Sequence, residues 1–184
     1  MRLFISVELP DQVKKQIADL VTELKQVGAE IKWAEPENLH ITLLFLGEVA
    51  DSRRDNLITL SAKAVSGQTS FRANFSGLGT FPEGSNPRVV WVGTAAGGAE
   101  LKVLADSLAE TLSRAGFPGA DKEFKPHITI GRIKSRKGMD ILKQKMAAIK
   151  VVSFGDAVID RVCLMKSTLT PKGPVYNKIK EVKL

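Results

Sequence analysis

The chain carries two histidines, His40 and His127, and each opens the same pattern of His, apolar, Thr, apolar: "HITL" from His40 and "HITI" from His127. With apolar residues at roughly half of positions and Thr at roughly one in twenty, a given His falls in such a pattern on the order of one time in a hundred. Two out of two is then on the order of one in ten thousand, which asks for a chemical reason. Two imidazoles facing one cleft suit paired proton transfer near neutral pH, one neutral as general base and one protonated as general acid. Each Thr adds a hydroxyl that hydrogen-bonds an anionic oxygen without fixing the imidazole beside it in the charged form. Together with a basic surround, these groups describe a phosphodiester site. No carboxylate cluster accompanies the histidines, so metal-independent chemistry without a cofactor is expected.

The elements that position these residues follow from periodicity. Side chains alternate along a strand, so His40 and Thr42 share one face while Ile41 and Leu43 share the other; His127 and Thr129 stand likewise against Ile128 and Ile130. Helical spacing of apolar residues predicts helices over about Pro10 to Val27 and Leu101 to Ala115, with weaker patterns over Ser52 to Val65 and Met139 to Ile149. Strand-like segments lie between them: "RLFISVE", "HITLLFLGEV", "FRANFSGLGTF", "RVVWVG", "HITIGRI", "VVSFGDAVIDRVCLMK" and "VYNKIKEVKL". Their order is an internal repeat. Thirty-eight residues separate Arg2 from His40, and 39 separate Arg88 from His127. The expectation is a single bilobal α+β domain over residues 1–184, its repeats covering about 1–84 and 85–184. Two mainly antiparallel sheets would carry helices on their outer faces and enclose a central cleft, around an approximate two-fold axis. The join is expected in the loop "FPEGSNPR" from Phe81 to Arg88.

Composition narrows the partners. A chain of 184 residues has room for one well-cored domain. The formal net charge of +7 favours an anionic partner, nucleic acid before membrane, since no basic amphipathic helix is evident. No apolar run reaches the ~18 residues a membrane span needs, and no secretory signal is visible, so a cytoplasmic location is expected; a monomer is a separate expectation that these features do not decide. Cys163 stands alone, which excludes a disulfide framework and argues for a buried structural thiol.

The tandem motifs, the "FLGE" after the first and the "F-x-PHITIGR" around the second resemble the 2H phosphoesterase superfamily. Within it the chain is most similar to RNA 2',3'-cyclic phosphodiesterases, long called 2'-5' RNA ligases. The similarity takes in "RLFISVELP", "PRVVWVG" and "STLTPKGPVYNKI", and so nearly the whole chain. It implies opening of RNA 2',3'-cyclic phosphate ends to 2'-phosphomonoesters, with tRNA halves and general RNA ends both open as the substrate. On matching positions it implies His40 as proton donor to the departing 3' oxygen and His127 as the base that activates water, with Thr42 and Thr129 on the non-bridging oxygens. ATP-independent 2'-5' ligation at the same site, or a non-catalytic module that binds RNA ends, are the alternatives.

Other residues have two readings each. Strict alternation puts Arg132 on the face opposite His127; it reaches the cleft as a phosphate ligand only if Gly131 marks a bulge or bend, and is otherwise a surface cation. Phe45, an odd number of residues from His40, falls on the core face by the same count, with base stacking as its other reading. Phe124, Trp91 and Tyr176 either stack on an unpaired base or pack. The basic run "RIKSRK" from Arg132 to Lys137 either tracks an RNA backbone or is simply solvated.

Overall fold

A computed structural model describes residues 1–84, 86–120, 122–149, 153–171 and 173–184. In chain order the strands are β1 (Arg2–Glu8), β2 (Ile31–Trp33), β3 (His40–Glu48), β4 (Phe71–Phe81), β5 (Val89–Ala96), β6 (Ile128–Ile133), β7 (Ser153–Ile159), β8 (Arg161–Thr170) and β9 (Gly173–Lys183). The helices are α1 (Asp11–Lys25), α2 (Arg54–Val65), α3 (Gly98–Arg114) and α4 (Met139–Ala148). Helical spacing buries Val13, Ile17, Leu20, Val21 and Leu24 along one face of α1, and Leu101, Leu104, Ala105, Leu108 and Leu112 along one face of α3. Opening the first half, β1 alternates cleanly: Leu3, Ile5 and Val7 enter the main core, while Phe4 joins Cys163 and Met165 in a small second cluster.

The fold is α+β, but the expectation of two sheets is corrected. The described strands form one antiparallel sheet in the order β7-β4-β5-β6-β3-β1-β8-β9, with β2 pairing on β6. What joins the two halves is the pairing of β3 with β6 at Ile41 and Ile128, the residues that follow the two histidines. Strands also cross between the sequence repeats. Strand β4, from the first repeat, pairs with β5, and β8, from the second, pairs with the opening strand β1. Each half-sheet therefore mixes both repeats. The run expected as one strand from Val151 to Lys166 is two, β7 and β8, broken at Asp160; Val151 and Val152 lie outside the described residues. Among the described residues no helix is long and apolar enough to cross a membrane.

Helix α3 packs on β3 and β5, α2 on α3 and β9, and α1 on β7. One continuous core, from Leu3 to Val182, lies between helices and sheet. Burying that apolar face leaves the opposite face of the central strands free for His40, Thr42 and their neighbours.

Candidate active site

Antiparallel register does most of the positioning. With Ile41 opposite Ile128, continuing the ladder by one residue each way sets His40 beside Thr129 and Thr42 beside the position of His127, which immediately precedes β6. The two histidines are then diagonal neighbours, a separation of about 7–8 Å between backbones that ring side chains can bridge.

Each motif strand carries a one-residue bulge at the same place. On β3, Ile5 pairs with Leu44 and Ser6 with Thr42, leaving Leu43 as the extra residue. On β6, Val90 pairs with Gly131 and Trp91 with Thr129, leaving Ile130 extra. Both bulges fall three residues after the histidine, and both turn the fifth residue back to the histidine's face. The core reading of Phe45 is thereby corrected: adjacent Leu43 and Leu44 are both buried, and Phe45 is 62% exposed, its ring 6.1 Å from Phe4. Arg132 is exposed on the cleft side, and its charge acts on His40, His127 and Tyr176. Gly131 is needed for a different reason than a bend. A side chain there would meet Ile31 Cγ2 at 2.7 Å and Trp33 Cε3 at 2.9 Å, so β2 closes onto β6 only over a glycine.

Both imidazoles are anchored identically. His40 Nδ1 lies 2.7 Å from the Asn38 carbonyl and His127 Nδ1 lies 2.7 Å from the Lys125 carbonyl. A carbonyl only accepts, so Nδ1 carries the proton in each neutral ring and Nε2 is left basic. At His40, Nε2 is 2.9 Å from Thr42 Oγ1, which donates to it in that tautomer. Burial holds the His40 imidazole below its ordinary 6.5; the Asn38 carbonyl pulls upward, and the charges of Lys14, His127 and Arg132 push further down. Burial likewise depresses His127, the Lys125 carbonyl opposes it, and Arg132 adds to the depression. Both rings are therefore neutral at pH 7 in the unliganded protein.

Aromatic edges wall both rings. Tyr176 meets His40 at 5.2 Å and 88°, and Phe81 meets His127 at 5.0 Å and 87°, with Phe4 a further 5.0 Å neighbour of His40. Trp91 sits opposite Thr129 and beside Gly79 on β4, with Phe81 at 5.2 Å. Phe124 packs against the main core. Phe4, Ser6 and Phe81 were not singled out from sequence, although the even positions of "RLFISVE" already set Phe4, Ser6 and Glu8 on the non-core parity of their strand. Arg132, Lys134, Arg136 and Lys137 of the basic run are exposed, and Lys137 lies 3.8 Å from Glu30.

Cys163 is buried, with Sγ 3.6 Å from Glu8 Oε2. Its sulfur and carboxylate oxygens of Glu8 and Glu181 lie within 4.8 Å of one another. Lys178 already fills that position with its own charge, 2.7 Å from Glu8 and 2.5 Å from Glu181. Burial and Glu8 push the thiol up to about 12, and a protonated thiol is a poor metal ligand. The trio reads as an ion-pair cluster.

A family profile described as "LigT like Phosphoesterase" matches residues 7–91 and again 92–176. The chain is 40% identical to an RNA 2',3'-cyclic phosphodiesterase of Archaeoglobus fulgidus, over 98% of each chain. It is 37% identical to one of Methanocaldococcus jannaschii, over 98% of this chain and 99% of the other. Among solved structures it resembles TT0787 of Thermus thermophilus, at 33% identity and a TM-score of 0.79, covering 100% of this chain and 98% of that one. It also resembles E. coli LigT complexed with 3'-AMP, at 25% identity and a TM-score of 0.80, covering 100% and 97%.

Proposed function

The chain belongs to the LigT-like phosphoesterases, and on that premise we propose that it opens 2',3'-cyclic phosphates at RNA ends to 2'-phosphomonoesters without a metal. The observation that supports this most directly is the pairing of Ile41 with Ile128, which sets two identically anchored imidazoles on one face of one sheet.

Protonated His40 gives its Nε2 proton to the 3' oxygen as the bond from that oxygen to phosphorus breaks. His127 takes a proton from water at Nε2, and the water oxygen bonds to phosphorus from the opposite side. The products are a 2'-phosphomonoester and a free 3' hydroxyl, with the proton balance moved from His40 to His127. Thr42 and Thr129 donate to the non-bridging oxygens, and Arg132 stabilises the charge that grows on them. The resting enzyme holds both rings neutral; the incoming phosphodiester anion offsets the positive surround and lets one imidazolium form. The resemblance to the family, carried onto matching positions, gives the role of acid to His40 and that of base to His127. The substrate is an RNA strand, consistent with the net charge of +7 and with the exposed basic run from Arg132 to Lys137 beyond the second motif.

The test offers a short RNA ending in 2',3'-cyclic phosphate, with and without chelator, and identifies which hydroxyl keeps the phosphate. Retention on the 2' oxygen, unaffected by chelator, is expected. Full activity in folded His127→Ala, or phosphate left on the 3' oxygen, overturns the scheme.

A further inference from the structure

The hairpin of β8 and β9 outruns the strand beside it. Pairing of β8 with β1 ends at Lys166, whereas its pairing with β9 runs on from Ser167 opposite Tyr176 to Thr170 opposite Gly173. At this overhang Leu169 and Val175 are exposed, so little apolar packing holds it. A polar tie does so instead: Asn38 Nδ2 donates to the Pro174 carbonyl at 3.2 Å. We propose that Asn38 is a positioning residue for His40, and that its side chain straps the overhanging hairpin over that ring. Its bearing on turnover rests on the reading that His40 is the proton donor; its bearing on the ring does not.

Asn38 closes a single 3-10 turn, Pro36–Asn38, and each of its polar groups has a separate task. Its N–H donates to the Glu35 carbonyl at 2.9 Å, its carbonyl accepts from His40 Nδ1 at 2.7 Å, and its amide reaches 136 residues along the chain to Pro174. Two restraints on the imidazole therefore meet at one residue. The carbonyl fixes Nδ1, and the strap holds β9, whose Tyr176 lies edge-on to His40 at 5.2 Å and to Phe4 at 5.0 Å. Keeping carbonyl and aromatic wall in one frame matters because a neutral imidazole has two tautomers. Only with Nδ1 held by a carbonyl is Nε2 the nitrogen that exchanges protons with a substrate. The hairpin end is closed on itself, Thr170 Oγ1 donating to the Gly173 carbonyl at 2.7 Å and accepting from the Gly173 N–H at 3.2 Å, so the strap pulls on a fixed end. The second half is built otherwise. Lys125 supplies the carbonyl for His127, and its ammonium lies 6.0 Å over the Phe81 ring, which makes His127 an internal control.

With two histidines in the chain, nitrogen NMR of the imidazoles, recorded well above pH 6.5, reads the tautomer of each ring separately. Wild type is expected to show Nδ1–H in both. Asn38→Ala is expected to convert His40 to a mixture of tautomers while His127 keeps Nδ1–H. On a short RNA ending in 2',3'-cyclic phosphate it is expected to lower kcat by about two- to tenfold, the range of one hydrogen bond, with KM unchanged. Thr170→Val, which frees the hairpin end without touching Asn38, is expected to move His40 the same way by less; it carries the test where Asn38→Ala does not fold. An unaltered His40 tautomer in folded Asn38→Ala overturns the proposal, as does an equal change in both rings. A His40 response to Asn38→Ala that Thr170→Val does not share overturns the strap. Wild type that shows these tautomers and opens no cyclic phosphate overturns the hydrolytic reading and leaves the hold on His40 standing.

Discussion

Substituting Gly79 by Ala tests whether packing far from the phosphate holds His127 in place. A Cβ on Gly79 would lie 2.1 Å from Trp91 Cζ2, 2.5 Å from Cη2 and 2.6 Å from Cε2. Carbon atoms pack at about 3.5–4.0 Å, so the indole must move by about 1.4 Å or more. The ring neighbour of that indole is Phe81, 5.2 Å away, whose own ring meets His127 at 5.0 Å, so a displaced indole is expected to press on Phe81 and through it on His127. A displacement near 1 Å at a reacting group costs on the order of 10²-fold in rate. Overpacking costs about 1–3 kcal/mol, which lowers Tm by about 2–12 °C in a chain of this size. The assay is kcat and KM on a cyclic-phosphate-terminated dinucleotide, with Tm measured in parallel. The expected result is a kcat lower by about 10²-fold, with most of the loss restored in Gly79→Ala/Trp91→Phe, where the smaller ring makes room. Wild-type kcat in Gly79→Ala with a reduced Tm would show that strain is absorbed before it reaches His127, and the relay of contacts from Gly79 through Trp91 and Phe81 would be refuted.

Four further outcomes follow from the same geometry. Because both imidazoles are depressed below 6.5 in the folded chain, they bind fewer protons than in the unfolded chain just below that pH. Their contribution to stability is therefore full above 6.5 and declines as pH falls from there toward the folded values, as acid titration of Tm will read. Arg132→Met removes a charge that lowers both rings, so the acid limb of the kcat/KM profile moves to higher pH while kcat/KM itself falls; a profile fixed in pH would place Arg132 outside the site. His40→Ala and His127→Ala each cost about 10²- to 10⁴-fold, and the double variant costs much less than the product, since the two act as a unit. Phe45→Ala leaves Tm within about 1–2 °C, because surface substitutions stay within about 0.5 kcal/mol, and raises KM for RNA if the exposed ring stacks on a base; an unchanged KM leaves that ring without a role in binding.

Much of the site was legible because it is local. The H-x-T-x spacing fixes which side chains share a face, and helical spacing marked α1 and α3 to within a few residues. Long-range pairing was not legible. Nothing in "FRANFSGLGTF" says that it lies beside "RVVWVG" in one half-sheet, while "RVCLMK" crosses back to "RLFISVE". The bulges left a signal that strict alternation overrode. In "HITLLF" two adjacent leucines are both buried, and in "HITIGR" Ile130 and Gly131 are both buried, so each pattern holds one core position too many for a regular strand. Reading those doublets as extra residues returns Phe45 and Arg132 to the histidine face. Strand β2, at three residues, is too short to give a period, and its place is set by the side chains that Gly131 admits.

About the Ile41–Ile128 pair the two halves match in an anchored ring, a threonine and a bulge three residues after each histidine, yet the proposed acid and base must differ. A difference can come only from side chains that break the repeat. At the fifth position after each histidine the first half supplies Phe45 and the second Arg132, so the cation comes from one side alone. Helix α1 adds Lys14, whose charge bears on His40, whereas the charge that bears on His127 is that of Arg132. At the residue beside each Thr the first half has Ser6 and the second Trp91, giving a small hydroxyl over a pocket on one side and an indole filling the space on the other. The asymmetry of the site thus follows from where the repeat is broken, and exchanging the two exposed fifth residues, as Phe45→Arg with Arg132→Phe, is expected to lower kcat/KM even where both histidines keep their anchors.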